Sequence, residues 1–148
     1  MVQGIDRRTG KAAWRWQTSA TPRAGFHAIP RLFVEQEHVI VFAGGVLPNK
    51  SAWQTRLEYA GSVSCLDYRT GRLRWEQPVD LGLQGQRCNV TLLIDSGQVV
   101  VGFATHVLAF ALENGAPQWR HDIREATNAT SAVALALPGL AVQADGRD

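Results

Sequence analysis

The sequence predicts an all-β chain of repeated antiparallel hairpins, and three observations lead there. Apolar and polar residues alternate in short runs, as in Gly61–Asp67 (GSVSCLD), without the 3.6-residue period of a helix. One frame recurs three times: a strand, a turn ending in glycine, and a second strand with tryptophan four residues beyond that glycine. It reads VQGIDRRTGKAAW at 2–14, GSVSCLDYRTGRLRW at 61–75 and VLAFALENGAPQW at 107–119. The last two tryptophans lie 44 residues apart and the first two 61. A strand-built period of about 40–50 residues is the length of one four-stranded blade, so the expected architecture is a partial β-propeller.

Taken in order, residues 2–6 read as a strand, Arg7–Gly10 as a tight turn and Ala12–Thr18 as the antiparallel partner. Glycine closes each such turn because a short hairpin loop often ends at φ > 0. The Asp or Thr before it can accept bonds from backbone N–H groups. After a connection at Ser19–His27, the stretches Ile29–Glu35 and His38–Gly44 form a second hairpin about Gln36-Glu37. The next unit repeats this order: strands 63–67 and 72–78, a connection Val79–Cys88, then 89–94 and 98–104 about Ser96-Gly97. The third gives 107–112 and 117–123, a connection Arg124–Thr130, then 131–137 and 140–144 about Pro138-Gly139. The repeats therefore run over about 2–62, 63–106 and 107–148, as a single segment spanning 1–148. The first is longer because about 16 residues are inserted within Val46–Ala60, VLPNKSAWQTRLEYA.

Composition narrows the function. With 45% apolar and 19% charged residues the chain is globular rather than disordered. A formal charge of +2, evenly interspersed, does not make a nucleic-acid surface. The longest apolar runs, such as Val99–Ala104, are too short for a membrane span, and Met1–Asp6 has neither the basic nor the apolar region of an export signal. Cys65 alternates with strand residues and reads as a small buried hydrophobe, whereas Cys88 lies in a polar connection. Two cysteines do not make a disulfide framework.

The motif Leu-Asp-x-x-Thr-Gly-x-x-x-Trp at Leu66–Trp75, with Ile in the first place at Ile5–Trp14, resembles the tryptophan-docking motif of the PQQ-like (pyrroloquinoline quinone repeat) β-propeller superfamily. The third copy is degenerate: Ala111 replaces Asp and Asn114 replaces Thr, while Gly115 and Trp119 remain. The resemblance covers essentially the whole chain. It implies that each turn links the third and fourth strands of a blade and that each tryptophan lies between neighbouring blades. Asp6, Thr9, Gly10 and Trp14, Asp67, Thr70, Gly71 and Trp75, with Gly115 and Trp119, are then a structural docking set. Burying one such ring stabilises by about 2–4 kcal/mol on area grounds.

The same resemblance fixes the phase. The chain opens on a third-and-fourth-strand hairpin and closes on a first-and-second-strand hairpin, giving two intact blades and two half-blades in three repeat lengths. Propellers have four to eight blades, so the expectation is either a stretch of a longer product or a homodimer in which two copies complete a six-bladed ring.

Chemistry is sparse. The superfamily's quinoprotein dehydrogenases hold the quinone and a Ca²⁺ with oxygens from many blades, often beside a vicinal cysteine pair, and this chain has no such pair. Asp6, Asp67, Asp95 and Asp122 fall at turns or strand ends, where hairpin chemistry accounts for them. His27, His38, His106 and His121 have no metal-ligand spacing and read as solvated strand-end residues. No Gly-x-Ser-x-Gly is present, and the sequons at Asn49, Asn89 and Asn128 are read as chance. No catalytic, cofactor or metal residues are assigned. The site candidate is the insertion, whose Trp53, Arg56 and Tyr59 are residue types that anchor protein interfaces. The alternative role for Trp53 and Tyr59 is to fold back over the blade. The reading is a non-catalytic protein-binding or scaffold module, similar to members such as the outer-membrane barrel-assembly lipoprotein. The alternative is a fragment of a quinoprotein dehydrogenase. The resemblance implies a protein partner and, for many members, a periplasmic or outer-membrane-associated setting.

Overall fold

The computed structural model describes residues 1–18, 31–48, 57–84, 90–103, 106–123, 135–137 and 140–142. All regular structure among them is β: β1 (Val2–Ile5), β2 (Ala12–Trp16), β3 (Arg31–Glu35), β4 (His38–Pro48), β5 (Leu57–Asp67), β6 (Leu73–Gln84), β7 (Val90–Asp95), β8 (Gln98–Phe103), β9 (His106–Ala111), β10 (Pro117–Asp122), β11 (Leu135–Leu137) and β12 (Leu140–Val142). They form two four-stranded antiparallel sheets, β3-β4-β5-β6 and β7-β8-β9-β10, flanked by the hairpins β1-β2 and β11-β12. These are two whole blades, an outer half-blade ahead of them and an inner half-blade behind.

The alternation in each strand decides which way the sheets stack. In β4, Ile40 and Phe42 point to one face while Val39 and Val41 point to the other, and all four are buried. The register carries this across the blade: Ile40 stands opposite Phe33 and Cys65, and Val39 opposite Val34 and Leu66. On the first face, Ile40, Phe42, Val63 and Cys65 meet Leu92, Val101 and Phe103 of the second blade in the main core. Phe42 and Phe103 lie with ring centroids 5.1 Å apart at 40°, a tilted pair that interlocks the two sheets. On the second face, Val39, Val41 and Leu66 receive Val2, Trp14 and Trp16 of the leading half-blade. The innermost strands β3 and β7 touch, and β11 and β12 both rest against β7. The sheets thus fan about a common inner edge.

The strand boundaries depart from expectation in one region. A loop over Val46–Ala60 and a connection over Val79–Cys88 are expected, yet β4, β5 and β6 continue as a three-stranded ribbon beyond the blade. Val46 pairs with Tyr59, Pro48 with Leu57 and Glu58 with Gln84. The reason is mutual: residues 57–60 supply a ladder for Val79–Gln84, whose VDLGLQ alternates as a strand should. A shift in register between Tyr59 and Ala60 absorbs the extra residues of β6. Residues 49–56 and 85–89 lie outside the described residues, as do 19–30 and 124–134.

Candidate protein-docking site

The three motif turns are built alike. In each, the residue four before the glycine accepts a backbone bond from that glycine: Gly10 N–H to Asp6 O at 2.7 Å, Gly71 N–H to Asp67 O and Gly115 N–H to Ala111 O, both at 2.8 Å. The three glycines share φ of 68°, 68° and 73°, which a side-chain-bearing residue rarely adopts. Asp6 Oδ1 accepts from the N–H groups of Arg8 and Thr9, and Asp67 Oδ1 does the same for Arg69 and Thr70. The degenerate copy loses the carboxylate but keeps the other brace: Asn114 Oδ1 accepts from Ala116 N–H at 2.9 Å, as Thr70 Oγ1 accepts from Arg72 N–H at 3.3 Å.

Each turn is also a seat. The indole of Trp14 lies on Gly71 of the next blade, and that of Trp75 lies on Gly115, so close that a Cβ at either glycine would collide with the ring. Trp14 Nε1–H donates to Tyr68 O at 2.9 Å, and Trp75 Nε1–H to Leu112 O at 2.8 Å. Glycine is therefore required twice over, by φ and by the ring. The acceptor carbonyl belongs in both seams to the residue after the Asp position, a backbone contact that no side-chain motif advertises. Trp119, by contrast, stands 45% exposed and donates to Gln98 Oε1 at 3.2 Å, and nothing lies within 4 Å of where a Cβ would stand on Gly10.

Charged groups brace the outer strands. Arg74 bonds Asp67 Oδ2 at 2.6 Å and His38 Nε2 at 3.0 Å, tying β6 to the turn and to β4. Arg74 and Thr70 hold the Asp67 carboxyl well below the usual carboxylate range. In the second blade His106 Nδ1 meets Asp122 Oδ1 at 2.6 Å, and Arg120 Nε donates to the same oxygen at 2.7 Å. Arg120 first, then His106, holds the Asp122 carboxyl down. His106 is buried, contrary to the expectation of solvated strand-end histidines: it opens β9 opposite Asp122, which supplies its partner. His38 is likewise engaged, through Arg74, and His27 lies outside the described residues. Between the leading half-blade and the first blade, Thr18 Oγ1 and Ser64 Oγ both donate to Glu76 Oε1 at 3.0 Å. Cys65 is fully buried, and that burial pushes its thiol up to about 11, so it serves as core rather than as nucleophile.

Of the interface candidates, Trp53 and Arg56 lie outside the described residues, and Tyr59 occupies β5 opposite Val46. Among the described residues no group of three or more His, Cys, Asp or Glu stands close enough to hold a metal ion. Nor do the described residues contain any helix long and apolar enough to cross a membrane.

With stacked four-stranded sheets and indole seams in view, the comparisons are specific. A PQQ-repeat family model described as outer membrane protein assembly factor BamB matches residues 1–146. The chain belongs to this family. Among solved structures, the BamB-family chain is similar to the crystal structure of BamB from Moraxella catarrhalis, with a TM-score of 0.53 and 21% identity over 80% of this chain. At that identity the likeness establishes the propeller fold, and the match spans 30% of the relative's own chain. A search of curated proteins found no match.

Proposed function

We propose that this BamB-family chain is a non-catalytic protein-binding or scaffold segment of a propeller, serving the assembly of outer-membrane proteins on the periplasmic side of that membrane. The family match supports the assembly role. The observation that carries the binding role is the three-stranded ribbon. Its strands run 11, 11 and 12 residues, against 6 for each strand of the second blade, so it projects past the propeller body. Among the described residues β6 pairs only with β5, which leaves a backbone edge of the kind that accepts an added strand. Trp53 and Arg56, which fall between β4 and β5 in the sequence, and Tyr59 of β5 are the anchors we assign to the partner contact.

The test uses the purified complex that assembles outer-membrane proteins, solubilised in detergent, against the immobilised chain. Trp53→Ala is expected to weaken binding about thirtyfold, as truncation of an interface anchor does, with thermal unfolding unchanged. Undiminished binding would remove Trp53 from the interface, and a large fall in Tm would instead make it a cover for the blade. Dye reduction with added pyrroloquinoline quinone and Ca²⁺ on the full-length product would contradict the non-catalytic reading if it were quinone-dependent.

A further inference from the structure

The docking motif leaves its intervening positions free, and two of the three turns fill them mostly with cations. Around Asp6, Thr9 and Gly10 stand Arg7, Arg8 and Lys11; around Asp67, Thr70 and Gly71 stand Tyr68, Arg69 and Arg72. The third turn has Leu112, Glu113 and Ala116 in the same places, so neither the turn nor the seat of the indole requires positive charge. All five cations and Tyr68 are exposed. That exposure does not depend on a neighbouring blade, since Arg69 and Arg72 keep it with Trp14 seated on Gly71. The same seat sets the two turns side by side: Trp14 Nε1–H donates to Tyr68 O at 2.9 Å. The carboxylates here are engaged. Asp6 and Asp67 accept from their own turns, Arg74 pairs with Asp67, and Glu37 meets Arg69 at 3.3 Å. Glu35 and Asp95 lie at the inner hairpin turns and Glu113 on the third motif turn. Six cations against three carboxylates leave this rim positive. Beside them Tyr68 is 51% exposed and Leu73, next to Arg72, 46%.

We propose that this rim, formed by the first two motif turns, binds an anionic lipid surface through its phosphate groups. The guanidinium groups of Arg7, Arg8, Arg69 and Arg72 offer paired N–H donors that match phosphate oxygens. Each basic residue brought against an anionic bilayer raises affinity about fivefold, so the cluster adds up to a usable contact where one residue would not. The exposed apolar groups favour lipid over an acidic protein surface. A tyrosine ring settles at headgroup level with its hydroxyl in water, and Leu73 beside it adds an apolar contact at the same depth. The backbone bonds of the turns hold these side chains on one edge before any ligand arrives. The rim and the ribbon occupy opposite ends of β5 and β6, so this inference stands or falls apart from the docking role.

Co-sedimentation of the purified chain with vesicles tests it. The chain is expected to pellet with phosphatidylglycerol–phosphatidylcholine vesicles and to stay in solution with phosphatidylcholine alone, and added NaCl should release it. Arg8→Glu combined with Arg72→Glu should weaken binding about tenfold or more. Both positions give the turns only backbone groups, so the fold should persist, as circular dichroism would check. Tyr68→Ala, which keeps the carbonyl that Trp14 uses, should weaken binding severalfold while leaving the salt dependence unchanged. Failure to pellet with the anionic vesicles would overturn the proposal, as would equal binding to phosphatidylcholine. A folded double variant that binds undiminished would place the contact elsewhere. Inorganic phosphate that displaces the chain better than chloride at equal ionic strength would mean a small phosphate site, not a lipid surface. If the double variant kept vesicle binding but lost capture of the assembly complex, the rim would belong to an acidic protein face instead.

Discussion

Asp67 carries more of the turn than its half-buried place at the end of β5 suggests. Its carboxylate accepts from Thr70 N–H, Thr70 Oγ1–H and the Arg74 guanidinium, at 2.9, 2.8 and 2.6 Å. These bonds hold its ionisation below that of an unfolded aspartate. A carboxyl depressed in the folded state stabilises the fold above the unfolded value, about 3.9, and loses that contribution as pH falls toward the folded one. Asp67→Asn is therefore expected to be less stable than wild type at neutral pH, with the gap narrowing below about pH 4 in denaturant titrations. Parallel acid profiles would mean the bonds contribute nothing to folding. Much of this scale is legible from sequence, because Asp, Thr and Gly at fixed offsets specify a turn. What is not legible is the partner at the turn's back. Trp14 donates to the carbonyl of Tyr68, and any residue supplies a carbonyl. His106 also eludes the sequence, since its partner Asp122 is set by the β9-β10 register, itself shifted between Pro117 and Trp119.

At the scale of strands, alternation and turn glycines place nearly every element, but they place ends poorly where pairing is made with an insertion. Val79–Gln84 alternates as a strand, yet it becomes one because Glu58–Ala60 come back to meet it. A segment whose ladder partner lies in a unique insertion has no sister repeat to be read against. The second blade shows that the blade itself does not need the ribbon, since β8 and β9 stop after six residues each. Replacing residues 46–59 by a short Asn-Gly turn should therefore leave folding stability within about 1 kcal/mol, while abolishing capture of the assembly complex. A chain that fails to fold after this replacement would make the ribbon part of the core, and the docking role would lose its structural independence.

Across the molecule, identical motifs meet different fates. Trp75 is buried and Trp119 is not, although each lies four residues past its glycine, because burial depends on whether another blade stands in front. The sequence states the seam, and the neighbouring blade fills it. This account rests on indoles of one blade sitting on glycines of the next, and a double-mutant cycle between Trp75→Ala and Gly115→Ala measures that contact directly. Gly115→Ala alone should be costly twice, through its φ of 73° and through collision with the Trp75 ring. With Trp75 already removed, only the backbone strain remains, so urea unfolding should reveal a coupling of at least about 1 kcal/mol. Strictly additive costs would show that the two residues do not touch, and the seam between the blades would have to be held by something else.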